Sequence, residues 1–212
     1  MALSIADHVL HVELEMAYRG VPLGEGGALH HIGTRGGRRA WSNPHEAGLV
    51  TASMSLHCDL FLFARKLVGR GMYTGDTGGG VLECRTRTPN VANSWMAVDL
   101  GPERTMRVAH YCLRHGSDHA GDELRNWELQ ARAGVSRQGV SEADGWTTLR
   151  RHEADASLQG GDSVAAFAVT QHTGMAFRYF RLHQHGINAT GRHFLVCGGL
   201  ELYGTLLDGA TY

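Results

Sequence analysis

Residues 177–186 read FRYFRLHQHG. Aromatic residues alternate with arginines and the run ends in two histidines. Three structures share that composition: a nucleic-acid stripe, a metal or catalytic cluster, and a sheet strand. In a strand of period two, Phe180 and Leu182 share one face while Phe177, Tyr179, Arg181 and His183 share the other. Arg178 falls on the Phe180 side near the strand start, where it needs a carboxylate, and Asp99 is one candidate. Sheets that bind single-stranded nucleic acid stack aromatics beside a cationic groove. Here Lys+Arg 20 against Asp+Glu 21 leave a formal charge of -1, which argues against nucleic acid as a partner. The stretch reads as a strand.

Working outward, short apolar segments bounded by Gly, Pro, Asn or Asp continue the same pattern. The strand candidates are ALHHIG (28–33), GLVTAS (48–53), SWMAVDL (94–100), TMRVAHYCLRHG (105–116), NWELQAR (126–132), WTTLRRH (146–152), SVAAFAV (163–169), FRYFRLHQ (177–184) and FLVCGGLELYG (194–204). In SWMAVDL the set Met96, Val98 and Leu100 is expected inside, with Trp95, Ala97 and Asp99 opposite. Only residues 58–69, CDLFLFARKLVG, read as helical, with Leu60, Phe63 and Leu67 at i, i+3 and i+7. Many short strands with turns between them predict an all-β, antiparallel β-sandwich or barrel with one or two short helices. At 212 residues, 42% hydrophobic and 19% charged, the chain has the composition of one globular domain. Residues 1–24 lack the punctuation of the rest and read as an N-terminal extension, either an extra strand or a docking arm.

Cys58, Cys84, Cys112 and Cys197 are far apart and show no ligand spacing, and the N-terminus has no basic region before an apolar run. No apolar run reaches the roughly 20 residues that span a bilayer. These features predict an intracellular, cytoplasmic protein with free thiols and no transmembrane segment. The sequon NAT at Asn188 reads as chance in that setting.

Chemistry is sparse. Of 14 histidines, His30 and His31 point to opposite faces if 28–33 is a strand. His183 and His185 share a face that His193 could approach. A zinc site needs three or four converging ligands, and no such spacing is present. There is no GxSxG motif. GDTGGG (75–80) lacks the Lys-Ser/Thr of a phosphate loop. No cofactor, metal or catalytic residue is assigned, and the chain reads as a non-enzyme.

Six ordered blocks then carry a resemblance: GALHHIGTRGGRRAWSNPHEAGLVTAS (27–53), LVGR (67–70), SWMAVDLG (94–101), YCLRHG with LRNWELQ (111–130), GWTTLRRHEADASL (145–158) and FRYFRLHQHGINATGRHFLVCGGLELYG (177–204). Together they resemble the coagulation factor 5/8 type C, or discoidin-like, domain of the galactose-binding-like superfamily. The nearest version is the intracellular one found with HECT-type ubiquitin ligases and BTB proteins. The resemblance implies a jelly-roll sandwich over 25–207, a C-terminal tail at 208–212, and the 177–186 block inside the sandwich. Secreted members tie the first strand to the last by a disulfide. Here Cys197 lies in the last block and no cysteine precedes Cys58, which fits an intracellular setting.

The resemblance also places ligands on loops at one end, here about 54–66, 71–93 and 115–124. Candidate binding residues on them are Leu60, Phe61, Phe63 and Arg65, then Arg87 and Asn93, then His115, Asp118 and His119. The first set, if exposed, makes an apolar patch rimmed by cations, suited to a protein partner or a membrane surface; the alternative is that Phe61 and Phe63 plug the end of the sandwich. His115, Asp118 and His119 suit sugar hydroxyls. Trp41 in WSNPHEAG is expected to pack, and His45 is left open. Family analogy admits calcium, although no dense carboxylate loop demands it. The reading is a non-catalytic module that recognises a protein partner, as an assembly subunit or a ubiquitin-ligase-associated domain. Its rival is a lectin-like carbohydrate binder.

Overall fold

In the strands Trp95–Asp99 (β3) and Tyr179–Gln184 (β8), antiparallel pairing sets Met96 opposite Leu182 and Val98 opposite Phe180. These four side chains and Leu100 are fully buried in one cluster, so the alternation expected from the sequence sets the inner face. The computed structural model describes residues 11–55, 64–70, 86–117, 120–134 and 145–209.

Around that pair lie the strands Thr51–Met54 (β2), Trp127–Arg132 (β5) and Thr147–His152 (β6), giving a five-stranded sheet in the order β2-β3-β8-β5-β6. A second sheet, in the order β1-β9-β4-β7, contains Val12–Met16 (β1), Arg104–Arg114 (β4), Val164–Ala168 (β7) and Gly199–Asp208 (β9). All the pairings are antiparallel. The two inner faces meet in one core: Met106, Val108, Tyr111, Leu113, Phe167, Leu202 and Leu206 from the second sheet, and Leu129 and Leu149 alongside the β3–β8 set from the first. The fold is an antiparallel β-sandwich, as the strand pattern predicts.

β4 changes phase midway. Met106 and Val108 point inward, and so do Tyr111 and Leu113, because the register shifts between Val108 and His110. Opposite the shift is Gly204 at φ +140°, where a Cβ would stand 2.1 Å from the Arg107 carbonyl oxygen. Only glycine fits there, and the bulge keeps an eleven-residue strand apolar-side-in along its length.

Three local expectations change. Residues Ala28–Gly33 form a helix (α1), not a strand, and bury Ala28, Leu29 and Ile32. The helix is capped from the far end of the chain: the backbone N–H groups of Leu29 and His30 donate to Glu201 Oε1 and Oε2 at 2.7 and 3.0 Å. A Cβ on Gly27 would collide with that carboxylate. His30 and His31 are therefore helix neighbours. Within 58–69, Ala64–Val68 form a 3-10 turn that buries Leu67 and Val68; residues 58–63 lie outside the described residues. Phe177 is buried and bridges to Met106 of the other sheet, so the period-two pattern of the 177–186 block begins only at Tyr179. The expected partner of Arg178 is confirmed: its Nε and Nη2 donate to Asp99 Oδ1 and Oδ2 at 2.5 and 2.6 Å, a bidentate pair.

Cys112 and Cys197 are buried free thiols. Cys112 lies on the outer side of its sheet beneath Leu23, Tyr18 and Tyr203, so the segment after β1 lies across that face. Among the described residues no helix is long and apolar enough to cross a membrane.

Candidate functional site

Strands β3 and β5 start, and β4 and β8 end, at the same pole of the sandwich, which gathers the segments 86–94, 115–117, 120–126 and 185–198. The first and last lock together. Cys197 N donates to Thr86 O (3.0 Å), Thr88 N to Leu195 O (3.0 Å), and Leu195 N to Thr88 Oγ1 (3.1 Å). Thr86 N reaches Gly116 O at 2.9 Å. A Cβ on Gly116 would come within 2.8 Å of Thr86 O and the Cys197 backbone, so this approach also requires glycine.

Between these segments is a depression of about 170 Å³ lined by Arg87, Ser117, Asp122, Thr190, Arg192 and Val196. Its wall is built on Asn188, which is 4% exposed. Asn188 Nδ2 donates to Asp122 Oδ1 (3.1 Å) and to Phe194 O (3.2 Å). Its Oδ1 accepts the backbone N–H groups of Thr190 and Arg192, each at 3.0 Å. One amide therefore sets the path of the whole 188–194 loop. The Thr190 hydroxyl also bonds to Asp122, and Arg192 Nε lies 3.1 Å from that hydroxyl and 3.5 Å from the Asp122 carboxylate. Beneath the loop, burial works against the charge of Glu123. Hydrogen bonds from Gly121 N and Gly160 N (2.9 and 3.0 Å) outweigh it and hold the carboxyl below its usual range.

Over the rim, the guanidinium of Arg87 lies 4.5 Å from the Phe194 ring centre and that of Arg192 lies 5.5 Å from it. Two cations thus share one half-buried ring. Of the residues marked in the sequence, Arg87 lines the depression. Asn93 is an exposed turn residue at φ +61° that leads into β3. His115 is fully buried. Arg65 forms an ion pair with Glu46 at 3.2 Å. Leu60, Phe61, Phe63, Asp118 and His119 lie outside the described residues. Sequence reasoning reads Asp122 as part of a loop beside Asp118 and Glu123 and gives no binding role to Asn188, Thr190, Arg192 or Phe194. The usable signal is the run INATGRH: Asn, Thr and Gly in succession are turn formers, a role hidden when the run is set aside as a chance sequon. Trp41 of the WSNPHEAG block is half-buried against Gly33, and His45 Nδ1 accepts the Ala52 N–H at 3.1 Å.

The histidines do not converge. His183 is on the outer face of β8 between Trp95 and Glu128, His185 Nε2 lies 3.0 Å from the His152 carbonyl oxygen, and His193 bonds through its backbone to Asn90. Among the described residues no group of three His, Cys, Asp or Glu could hold a metal ion.

A different polar chain, unforeseen in the sequence, crosses between the sheets. His152 Nδ1 is 2.6 Å from Asp155 Oδ2, and its Nε2 is 2.6 Å from the Tyr111 hydroxyl, which accepts Trp127 Nε1–H at 3.2 Å. A carboxylate only accepts, so Nδ1 carries the proton and Nε2 accepts from Tyr111. The His152 ring stacks on Trp127 at 4.0 Å with 4° between planes. This connectivity has the form of an acid–base relay, but Tyr111 is fully buried and burial pushes its pKa far up. It offers no nucleophile to a substrate.

No protein-family model matches the chain. By sequence it is similar to the E3 ubiquitin-protein ligase Ufd4 of Drosophila melanogaster, 30% identical over 189 residues that cover 88% of this chain and 6% of that protein. It is also similar to the BTB/POZ domain-containing protein At2g30600 of Arabidopsis thaliana, 30% identical over 182 residues, 84% of this chain and 20% of that protein. The chain thus spans a small part of the length of either relative. Among solved structures it is similar to CpGH89CBM32-5 of Clostridium perfringens in complex with GalNAc-β-1,3-galactose, with a TM-score of 0.50 and 13% identity over 74% of this chain and 96% of that one. At that identity the likeness bears on the fold alone. With its paired antiparallel sheets and this likeness, the chain has the antiparallel β-sandwich fold of that module, and its ordered blocks resemble discoidin-like domains of the factor 5/8 type C kind.

Proposed function

We propose that the chain is a non-catalytic, intracellular and cytoplasmic recognition module that holds a protein partner through the loops at the pole of Arg87 and Arg192. It would act as an assembly subunit or as a recognition domain associated with a ubiquitin ligase. The observation that carries the choice of partner is the coverage of Phe194. A sugar-binding site stacks a pyranose on a bare aromatic face, whereas here two guanidinium groups lie over the ring. Stacked arginines around a rigid polar depression suit carboxylates and backbone carbonyls of a protein. The sequence relatives, one of them a ubiquitin-protein ligase, support the same setting. Leu60, Phe61, Phe63, Arg65, Asn93, Asp118 and His119 are proposed to extend this surface.

The second reading, a carbohydrate binder, is favoured by the size and polarity of the depression between Ser117, Asp122 and Thr190. One experiment separates the two. The tagged chain and its Arg87→Glu, Arg192→Glu variant are used for affinity purification with mass spectrometry from the native organism, and both are applied to a glycan array. Partners lost with the variant at unchanged Tm, with silence on the array, support the protein reading. Saturable glycan binding lost in the variant replaces it with the carbohydrate reading. Partners that all survive the double substitution place recognition elsewhere.

A further inference from the structure

The outer face of the five-stranded sheet carries a separate concentration of arginine and aromatic side chains. Pairing places Arg181 between Ala97 of β3 and Gln130 of β5, and Tyr179 between Asp99 and Arg132. The Arg132 guanidinium lies 4.7 Å from the Tyr179 ring centre and 5.2 Å from that of Trp146. The Arg181 guanidinium lies 4.2 Å from the same Trp146 ring.

The charges on this face do not balance locally. Arg178 is neutralised by Asp99, and Arg151 by Glu128 and Glu153 at 2.6 and 2.7 Å. Arg181 Nε donates only to the neutral Gln130 Oε1 (2.7 Å), while the Gln130 amide is committed to Glu128 (2.5 Å). Among the described residues, neither Arg132 nor Arg181 has a carboxylate within ion-pair distance. Among the described residues, two like charges therefore lie half-buried against one indole, and the carboxylate that acts on Arg181, Glu128, is already engaged by Arg151. Burial, then the neighbouring Arg132, push the Arg181 guanidinium down to about 10. An incoming anion relieves that repulsion. The patch is also at the opposite pole from the depression, since Arg132 ends β5 and Tyr179 begins β8.

We propose that this face docks an extended acidic segment of a partner protein, its carboxylates seated on Arg132 and Arg181 beside Trp146. Arginine pairs carboxylates in a planar fork, and arginine and tryptophan dominate the energetics of protein interfaces. An extended chain sets alternate side chains about 7 Å apart on one side, a spacing suited to cations that flank a single ring. Discrete carboxylates are favoured over a nucleic-acid backbone because Asp99, Glu128 and Glu153 share the face and repel a continuous polyanion. This docking is independent of the loop-pole reading.

The test is a titration of the whole chain with a synthetic peptide of alternating Glu and Ser, followed by tryptophan fluorescence and calorimetry. The expected result is saturable binding that weakens with salt, with the fluorescence change lost in Trp146→Phe. The Arg132→Lys, Arg181→Lys pair keeps the charge but loses the fork and weakens binding about tenfold. The corresponding alanine pair abolishes it. If the alanine pair does not fold, the lysine pair decides. No binding at millimolar peptide, equal affinity in the folded lysine pair, or tighter binding of a single-stranded oligonucleotide at the same residues overturns the proposal.

Discussion

The relay of Trp127, Tyr111, His152 and Asp155 and the loop cluster of Asp122, Asn188, Thr190 and Arg192 use the same kinds of polar group to opposite ends. In the relay each proton has an acceptor inside the fold, and Trp127, Tyr111 and His152 are all buried. Nothing is left to meet a ligand. In the loop cluster the amide of Asn188 is similarly spent, but what it fixes is a loop that carries Arg192 outward at about half exposure. Polar satisfaction in the interior joins two sheets; near the surface it holds a recognition surface in one shape.

If the relay is structural, removing its centre must cost more than any change at the loops. His152→Ala leaves the Tyr111 hydroxyl and Asp155 without their partner and opens a gap against the Trp127 ring. The expected loss is about 3 kcal/mol or more, measured by urea unfolding, with every partner retained by whatever protein stays folded. Tyr111→Phe is milder, about 1–2 kcal/mol, because only the Nε2 and Nε1 sites lose a partner. A loss of binding without loss of stability in either variant would undo the comparison.

Glu201 sharpens it. This carboxyl is fully enclosed and receives N–H donors from Leu29, His30 and Leu202, yet burial still pushes it up to about 7. Because the folded pKa exceeds the usual carboxylate value, the native state holds this proton more tightly than the unfolded chain. Its contribution is full below about pH 4.5 and is lost as pH rises through about 7, on the order of 3 kcal/mol across that window. Buried His152, whose pKa is lowered by burial, acts in the opposite direction, since the unfolded chain takes up its proton first. The measurement is therefore a difference: wild type minus Glu201→Gln stability, at pH 5 and at pH 8. The difference is expected to shrink at the higher pH. A difference that does not change with pH means the three N–H donors and Arg70, 3.7 Å from Glu201 Oε2, together hold the charge as well as water does.

What the sequence made legible follows the same physics. The inner face of β3 and β8 could be read because period-two alternation is local, and Asp99 could be named because Arg178 near the strand start needs an anion. Helix α1 was not legible: six residues hold too little period, and its cap, Glu201, comes from the far end of the chain. Nor was the relay, since Tyr111 and His152 belong to strands in different sheets. At the loop pole Arg87 could be placed by block order. The Asn188 network could not, because its bonds depend on a turn whose shape they themselves create.

Asn188→Ala tests that turn. It removes the acceptor of two backbone N–H groups and the donor to Asp122 and Phe194, at an expected cost of about 1–2 kcal/mol. Partner binding should fall with it, because Arg192 loses its fixed path. The smallest expected effect on stability is at the rim itself. Arg87→Ala takes a half-exposed side chain off the Phe194 ring, which should change unfolding by no more than about 0.5 kcal/mol. The same substitution should still reduce partner capture, because it removes a guanidinium from the recognition surface without disturbing the loop beneath. Paired urea melts and pull-downs of the two variants separate these effects. Asn188→Ala should move both readouts and Arg87→Ala only the second. If Arg87→Ala destabilises as much as Asn188→Ala, the arginine on Phe194 is part of the loop's own packing, and recognition belongs to another part of the pole.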